Sequence, residues 1–116
     1  MLYFYDNLAA RLRTKVEFWA DEISEEEDIL GQNPPEEKCQ FACWAEIRPQ
    51  TGSLLRGRTA ETELSRTTHK ITIRYRDDVR PEMRIKCKGE VYKILYILNP
   101  YMSNERLEIF CEVDHG

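Results

Sequence analysis

The sequence predicts an all-β domain: a small antiparallel β-barrel or sandwich of about six short strands, with one short N-terminal helix and a long loop between the second and third strands. Three observations predict it. First, residues 69–76 alternate strictly, with His69, Ile71, Ile73 and Tyr75 on one side and Lys70, Thr72, Arg74 and Arg76 on the other. That is the period of two of a half-buried strand. Second, extended segments follow at residues 83–87, 91–98 and 106–113, with turn-forming residues in each gap, so residues 68–113 are predicted to form a β-meander. Third, two further extended segments, residues 15–18 and 40–48, precede the long loop.

A chain of 116 residues is long enough for one core, so residues 1–116 are taken as a single domain. A hydrophobic content of 41% and a charged content of 33% suit a folded chain with a well-solvated or partner-facing surface. The formal net charge of -4 argues against a free-standing binder of duplex DNA, whose affinity rests on an excess of Lys and Arg. The charge is unevenly placed. Residues 17–46 hold ten acidic residues and one basic one, Lys38, whereas residues 47–93 hold twelve basic and six acidic. Such a chain has either two solvated faces or two opposite patches suited to head-to-tail contact between identical subunits.

The N-terminal segment, residues 1–13, opens on an apolar run with Tyr3, Phe4 and Tyr5, which Asp6 stops. It has no basic start and no small-residue cleavage site, so it does not read as a secretory signal, and no apolar run approaches the ~20 residues of a membrane-spanning helix. The expectation is a protein that stays in the cytoplasm where it is made. Asp6 can cap a short helix from Asn7 to about Arg13, in which Leu8 and Leu12 need something to pack on. The aromatic tip ahead of it either folds back on its own core or is a contact surface.

Residues 15–18 give the first strand, with Val16 and Phe18 inward. Residues 21–38 are acidic and carry Gly31 and Pro34-Pro35, which predicts a solvated loop or loose hairpin. In the second strand Phe41, Cys43, Ala45 and Ile47 share one side, and Trp44 lies on the other, free to pack on an adjoining loop or a neighbouring subunit. Pro49 ends that strand.

Residues 49–67 show no sustained period, contain Gly52 and Gly57, and place Leu54 and Leu55 beside Arg56 and Arg58. A loop this long in a small domain is commonly functional or disordered, and it predicts an arm protruding from the body. It is no phosphate cradle, because Gly57 is not followed by the lysine that a P-loop needs. After the third strand, residues 77–82 turn the chain with Pro81, and Lys88-Gly89 predicts a tight hairpin that uses a positive φ at Gly89. The fifth strand is apolar on both faces, so its outer face, with Leu95 and Ile97, needs cover from the N-terminal segment or another molecule. Asn99-Pro100 turns into the last strand, where Leu107, Ile109 and Cys111 oppose Glu108, Phe110 and Glu112. Tyr3, Phe4, Tyr5, Trp44, Leu95 and Ile97 are therefore the candidate subunit or partner contacts.

Cys39, Cys43, Cys87 and Cys111 contain no Cys-x-x-Cys pair, and neither His69 nor His115 stands at a spacing that completes a metal site with them. Free thiols are expected, with no metal and no cofactor. His69 shares the inward parity of Ile71 and Ile73, and no catalytic motif is present, so the sequence gives no enzyme.

At this point the chain resembles the head-tail joining proteins of tailed bacteriophages, also called stopper or head-completion proteins. The resemblance runs in register through Leu12-Arg13-x-x-Val16-x-Phe18, Trp44-Ala45-x-Ile47-x-Pro49 and Gly52, and is sharpest over residues 69–76. It continues with Pro81-x-Met83-Arg84-Ile85, Gly89-x-x-Tyr92-x-Ile94 and Leu107-x-Ile109-x-Cys111-x-Val113. The aromatic residues 2–5 and the very acidic first loop depart from the family pattern. The resemblance implies a structural virion protein at the head-tail interface, made in the host cytoplasm, a small β-barrel whose copies form a ring below the portal and its adaptor. It further implies that the ring retains packaged DNA without reading its sequence and offers the tail a docking surface. The long loop would reach the channel, with Leu54 and Leu55 packing at the axis and Arg56 and Arg58 meeting phosphate or a neighbour's acidic surface. A tail-completion or other connector protein shares this design.

A rival reading is a small-barrel nucleic-acid-binding module with Arg74, Arg76, Arg84, Lys86 and Lys88 as one basic face. Against it, Tyr75 and Tyr92 share parity with the core, and stacking platforms need exposed rings.

Overall fold

A computed structural model describes residues 7–22, 36–50 and 67–114. In chain order they form α1 (Leu8–Arg11), β1 (Thr14–Glu22), β2 (Glu36–Pro49), β3 (His69–Arg74), β4 (Arg84–Cys87), β5 (Glu90–Leu98), a 3-10 turn (Pro100–Met102) and β6 (Arg106–Val113). All neighbouring strands are antiparallel, and the sheet closes into a barrel in the order β1-β2-β3-β6-β5-β4. Closure leaves no open sheet edge.

The core is the inward half of each alternating pattern. Val16, Phe18, Ala45, Ile71, Ile73, Ile85, Ile109 and Cys111 are wholly buried, and Phe18 stacks on Phe41 with ring centroids 4.6 Å apart. Helix α1 is a single turn, too short to persist alone. It is held because Leu8 and Leu12 are buried and Arg11 is bonded to Glu46 on β2. Asn7, at its N-cap, makes no side-chain capping bond, and the expected cap Asp6 lies outside the described residues.

Two expectations are corrected. Residues 21–38 are not all loop: β1 runs on to Glu22 and β2 begins at Glu36, paired from Thr14↔Ala45 to Glu22↔Glu36. Ala20 continues the inward parity of Val16 and Phe18, and Asp21 and Glu37 are held by Arg84 of β4. Nor do residues 68–113 form a simple meander. β3 pairs with β2 and β6 and not with β4, whose partners are β1 and β5. The link over residues 75–83 is too long for a tight hairpin, so it passes over one end of the barrel. It seats Val79 against the core and buries Met83 on the way to β4.

The apolar run of β5 is resolved by a bulge. Ile94 pairs with Cys111 and Tyr96 with Phe110, leaving Leu95 as the extra residue. Tyr92 and Ile94 face inward before it, and Ile97 packs against the core after it. Tyr96 is thereby turned outward, where it stacks on Phe110 at 4.6 Å and nearly parallel, so Phe110 is buried although it points away from the core.

Candidate functional site

The residues that flank the predicted long loop are tied together in a closed neck. Gln50 N–H donates to the Thr68 carbonyl at 2.7 Å, and Thr68 N–H donates to the Cys111 carbonyl at 2.9 Å. Thr68 Oγ1 accepts from Val113 N–H at 3.0 Å and lies 3.0 Å from His69 Nδ1. Thr67 is wholly buried, and Pro49 pairs with His69 as the last residue of β2. The strand therefore reaches one residue further than expected, and residues 51–66 of the predicted loop lie outside the described residues. Leu54, Leu55, Arg56 and Arg58 lie outside the described residues, as do Tyr3, Phe4 and Tyr5.

His69 stands beside this neck in edge-to-face contact with Tyr92, centroids 5.1 Å apart. Burial lowers its pKa below the usual imidazole value, against a smaller opposing pull from Glu90, so the ring is kept neutral. It is a packed residue, as its parity predicted.

Trp44 is 55% exposed on the outer face of β2, with Lys15 Nζ 5.4 Å from its ring centroid. It borders a groove of about 520 Å³ whose apolar wall includes Leu12, Ala42 and Tyr75 and whose rim carries Arg74 and Arg76. The remaining two proposed contacts part company. Leu95 is the half-buried bulge residue on the outside, whereas Ile97 is packed against the core.

The opposite charges of the two halves meet within one chain. On the outer face of β2, β1 and β4, Glu37 is bonded to Arg84 and to Lys86, each at 2.5 Å, and Arg84 also bonds Asp21 at 2.7 Å. Lys86 lies over the Trp19 ring at 4.1 Å, and Trp19 Nε1–H donates to Glu17. The Lys86 and Arg84 bonds hold the Glu37 carboxyl below the usual carboxylate range. Arg76 is bidentate to Asp78 and sits 3.7 Å over the Phe41 ring.

These pairs correct the supposition that Arg74, Arg76, Arg84, Lys86 and Lys88 line one basic surface. β3 and β4 are separated by two strands in either direction around the barrel, so Arg74 and Arg84 face opposite sides, and Arg76, Arg84 and Lys86 already hold carboxylates. Tyr92 is 6% exposed and cannot offer a ring face to a base.

All four cysteines are free thiols. Burial pushes the Cys111 thiol up to about 12, which keeps it protonated and inert.

Sequence reasoning missed the β5–β6 turn. Tyr101 and Met102 are 97% and 86% exposed, and Tyr101, Met102 and Asn104 all have positive φ (58°, 54° and 57°). Asn99 and Asn104 clamp the turn, with Asn99 Nδ2 donating to Asn104 Oδ1 at 2.7 Å and Asn104 N–H donating to Asn99 Oδ1 at 3.1 Å. The available signal was an aromatic-methionine pair set between Pro100 and Ser103-Asn104, where a turn ordinarily carries polar residues.

Residues 8–114 match the family model described as phage head completion protein. The fold is similar to the solution structure of protein SF1141 from Shigella flexneri 2a, with 26% sequence identity and a TM-score of 0.74 over 90% of this chain and 95% of that one. It is also similar to a chain in the virion of a native gene transfer agent particle, with 20% identity and a TM-score of 0.58 over 91% and 98% of the two chains; that likeness bears on the fold alone. Among curated proteins no relative was found.

Proposed function

The chain belongs to the phage head completion protein family, and from that membership we propose that its copies assemble as a ring below the portal and its adaptor, close the DNA channel after packaging and present the surface on which the tail docks. Membership makes the protein a structural component of the phage particle, so its place is the virion. The closing step is steric and needs no catalysis. Residues 51–66 of several copies converge on the axis, where Leu54 and Leu55 pack against their counterparts. Arg56 and Arg58 meet DNA phosphate, without sequence preference, or a neighbour's acidic surface. The protein is made in the host cytoplasm and joins the particle there.

The observation that carries this reading is the neck. Two backbone bonds and the buried Thr67 tie both flanks of the segment to the barrel, a fixed base from which an arm of residues 51–66 would act without disturbing the core. Supporting it, the cations expected to serve a nucleic-acid module are spread over opposite sides of the barrel, and three of the five, Arg76, Arg84 and Lys86, are paired with carboxylates in place.

Deletion of the gene from the phage tests the proposal. Filled heads that lose their DNA, together with unattached tails, are the expected products. Normal infectious particles would end it.

A further inference from the structure

The β5–β6 turn spends backbone strain on holding apolar side chains in water. A non-glycine residue in the left-handed region is disfavoured, and here three occur within four positions, at Tyr101, Met102 and Asn104. They are not compensated by packing, since Tyr101 and Met102 are almost fully exposed. They are fixed by the Asn99–Asn104 amide pair, by Ser103 Oγ donating to the Pro100 carbonyl at 3.0 Å, and by the Ser103 N–H bond to the same carbonyl. Such a preorganised apolar tip loses little conformational freedom when it is buried by a partner.

The same molecule offers a matching recess. The groove beside Trp44 has apolar walls in Leu12, Ala42 and Tyr75, and its exposed aromatic ring suits a methionine sulfur. Its rim carries Arg74 at the end of β3 and Lys15 over Trp44, while Arg76, two residues beyond β3, is already paired with Asp78. The tip is flanked by Glu105, whose side chain is 64% exposed and paired with Arg106 at 3.4 Å. A tyrosine ring entering beside Arg74 gains a cation–π contact as well.

We propose that the Tyr101–Met102 tip of one copy seats in the Trp44 groove of a second copy. The tip and the groove are different patches, so the contact is heterologous and repeats from copy to copy until it closes on itself. This deepens the ring reading and rests on it for the choice of a second copy as occupant.

The test replaces Tyr101 with the photocrosslinker p-benzoylphenylalanine in the full chain, a substitution at a side chain that packs on nothing. The concentrated purified protein, mixed with isotope-labelled copies, is irradiated and the adducts are mapped by mass spectrometry. The expected result is a labelled-to-unlabelled adduct joining residue 101 to residues 42–44 or 74–76, lost in Trp44→Asp and retained in Trp19→Phe. Adducts to any other segment, or no adduct between copies in either the concentrated protein or the assembled particle, would overturn the proposal. So would an adduct in the particle only to a different virion protein. The outcome is separable from the deletion test above: a tip-to-groove adduct mapped in the purified protein, together with a deletion phage that assembles normally, would sink the connector role and leave this contact standing.

Discussion

Gly89 carries the second position of the β4–β5 turn at φ +84°, beside Lys88 at φ +50°, the two-residue geometry that matches the twist of a hairpin. A Cβ built on Gly89 meets nothing within 4 Å, so the cost of adding one is purely conformational. Gly89→Ala is expected to lower stability by about 1 to 2 kcal/mol with an unchanged denaturant m-value, read from urea unfolding. Glu46 supplies the second residue-scale case. Arg11 donates to its carboxylate at 2.6 Å, and that bond holds its pKa below the usual value. A carboxyl whose folded pKa is depressed adds stability above its unfolded pKa and loses it as pH falls through the folded one. Glu37 and Asp78 are shifted the same way, so the barrel is expected to weaken on acidification below about pH 4. Glu46→Gln should cost about 1 kcal/mol near neutrality. The gap from wild type should close at low pH, where the wild-type carboxyl is itself protonated. A gap that stays constant across the titration would show that the Arg11 bond does not set the shift.

At the scale of the element, β5 shows where a period-two reading fails. Strict alternation from Tyr92 and Ile94 would send Tyr96 inward and Ile97 outward, which is how Ile97 came to stand beside Leu95 as a candidate contact. The bulge inserts Leu95 and reverses both assignments, and a bulge has no fixed sequence mark. This makes a sharp prediction. Deleting Leu95 removes the residue without a partner and keeps Ile94 and Ile97 inward, so the variant is expected to fold, with reduced stability. Deleting Lys93 instead turns Ile94 outward and brings Leu95 into its inward place opposite Cys111, so it is expected to fold with lower stability than the Leu95 deletion. Circular dichroism and amide-resolved NMR of the two variants decide it. The strands themselves were legible wherever alternation met a buried face, as in β3 and β6. The outer ends of β1 and β2 were not, because Asp21 and Glu37 read as solvent until Arg84 and Lys86, nearly fifty residues on from Glu37, are folded against them. The Tyr101–Met102 turn escaped for a related reason: two apolar residues give no period, and only the backbone shows that they are held outward.

For the whole molecule, the two reaching parts sit at opposite ends of the β3–β6 pair. The neck at Gln50, Thr67 and Thr68 adjoins His69 and Cys111, while the Tyr101–Met102 turn adjoins Arg74 and Arg106. Six residues of β3 at about 3.3 Å each put roughly 20 Å of rigid barrel between them. A body built this way should be separable from its arm. Because Gln50 and Thr68 are already joined by a backbone hydrogen bond, the segment between them can be replaced by a short Gly-rich turn without moving either strand. Each halving of a flexible loop lowers its closure cost by about 0.6 kcal/mol, so cutting sixteen residues to four is expected to leave stability unchanged or raise it by about 1 kcal/mol. The excised protein should therefore show a wild-type NMR pattern for β1 to β6 and still incorporate into particles. Those particles should leak packaged DNA. An arm-deleted protein that unfolds would place residues 51–66 among the parts the core depends on, and particles that hold their DNA without the arm would move channel closure to another part of the barrel.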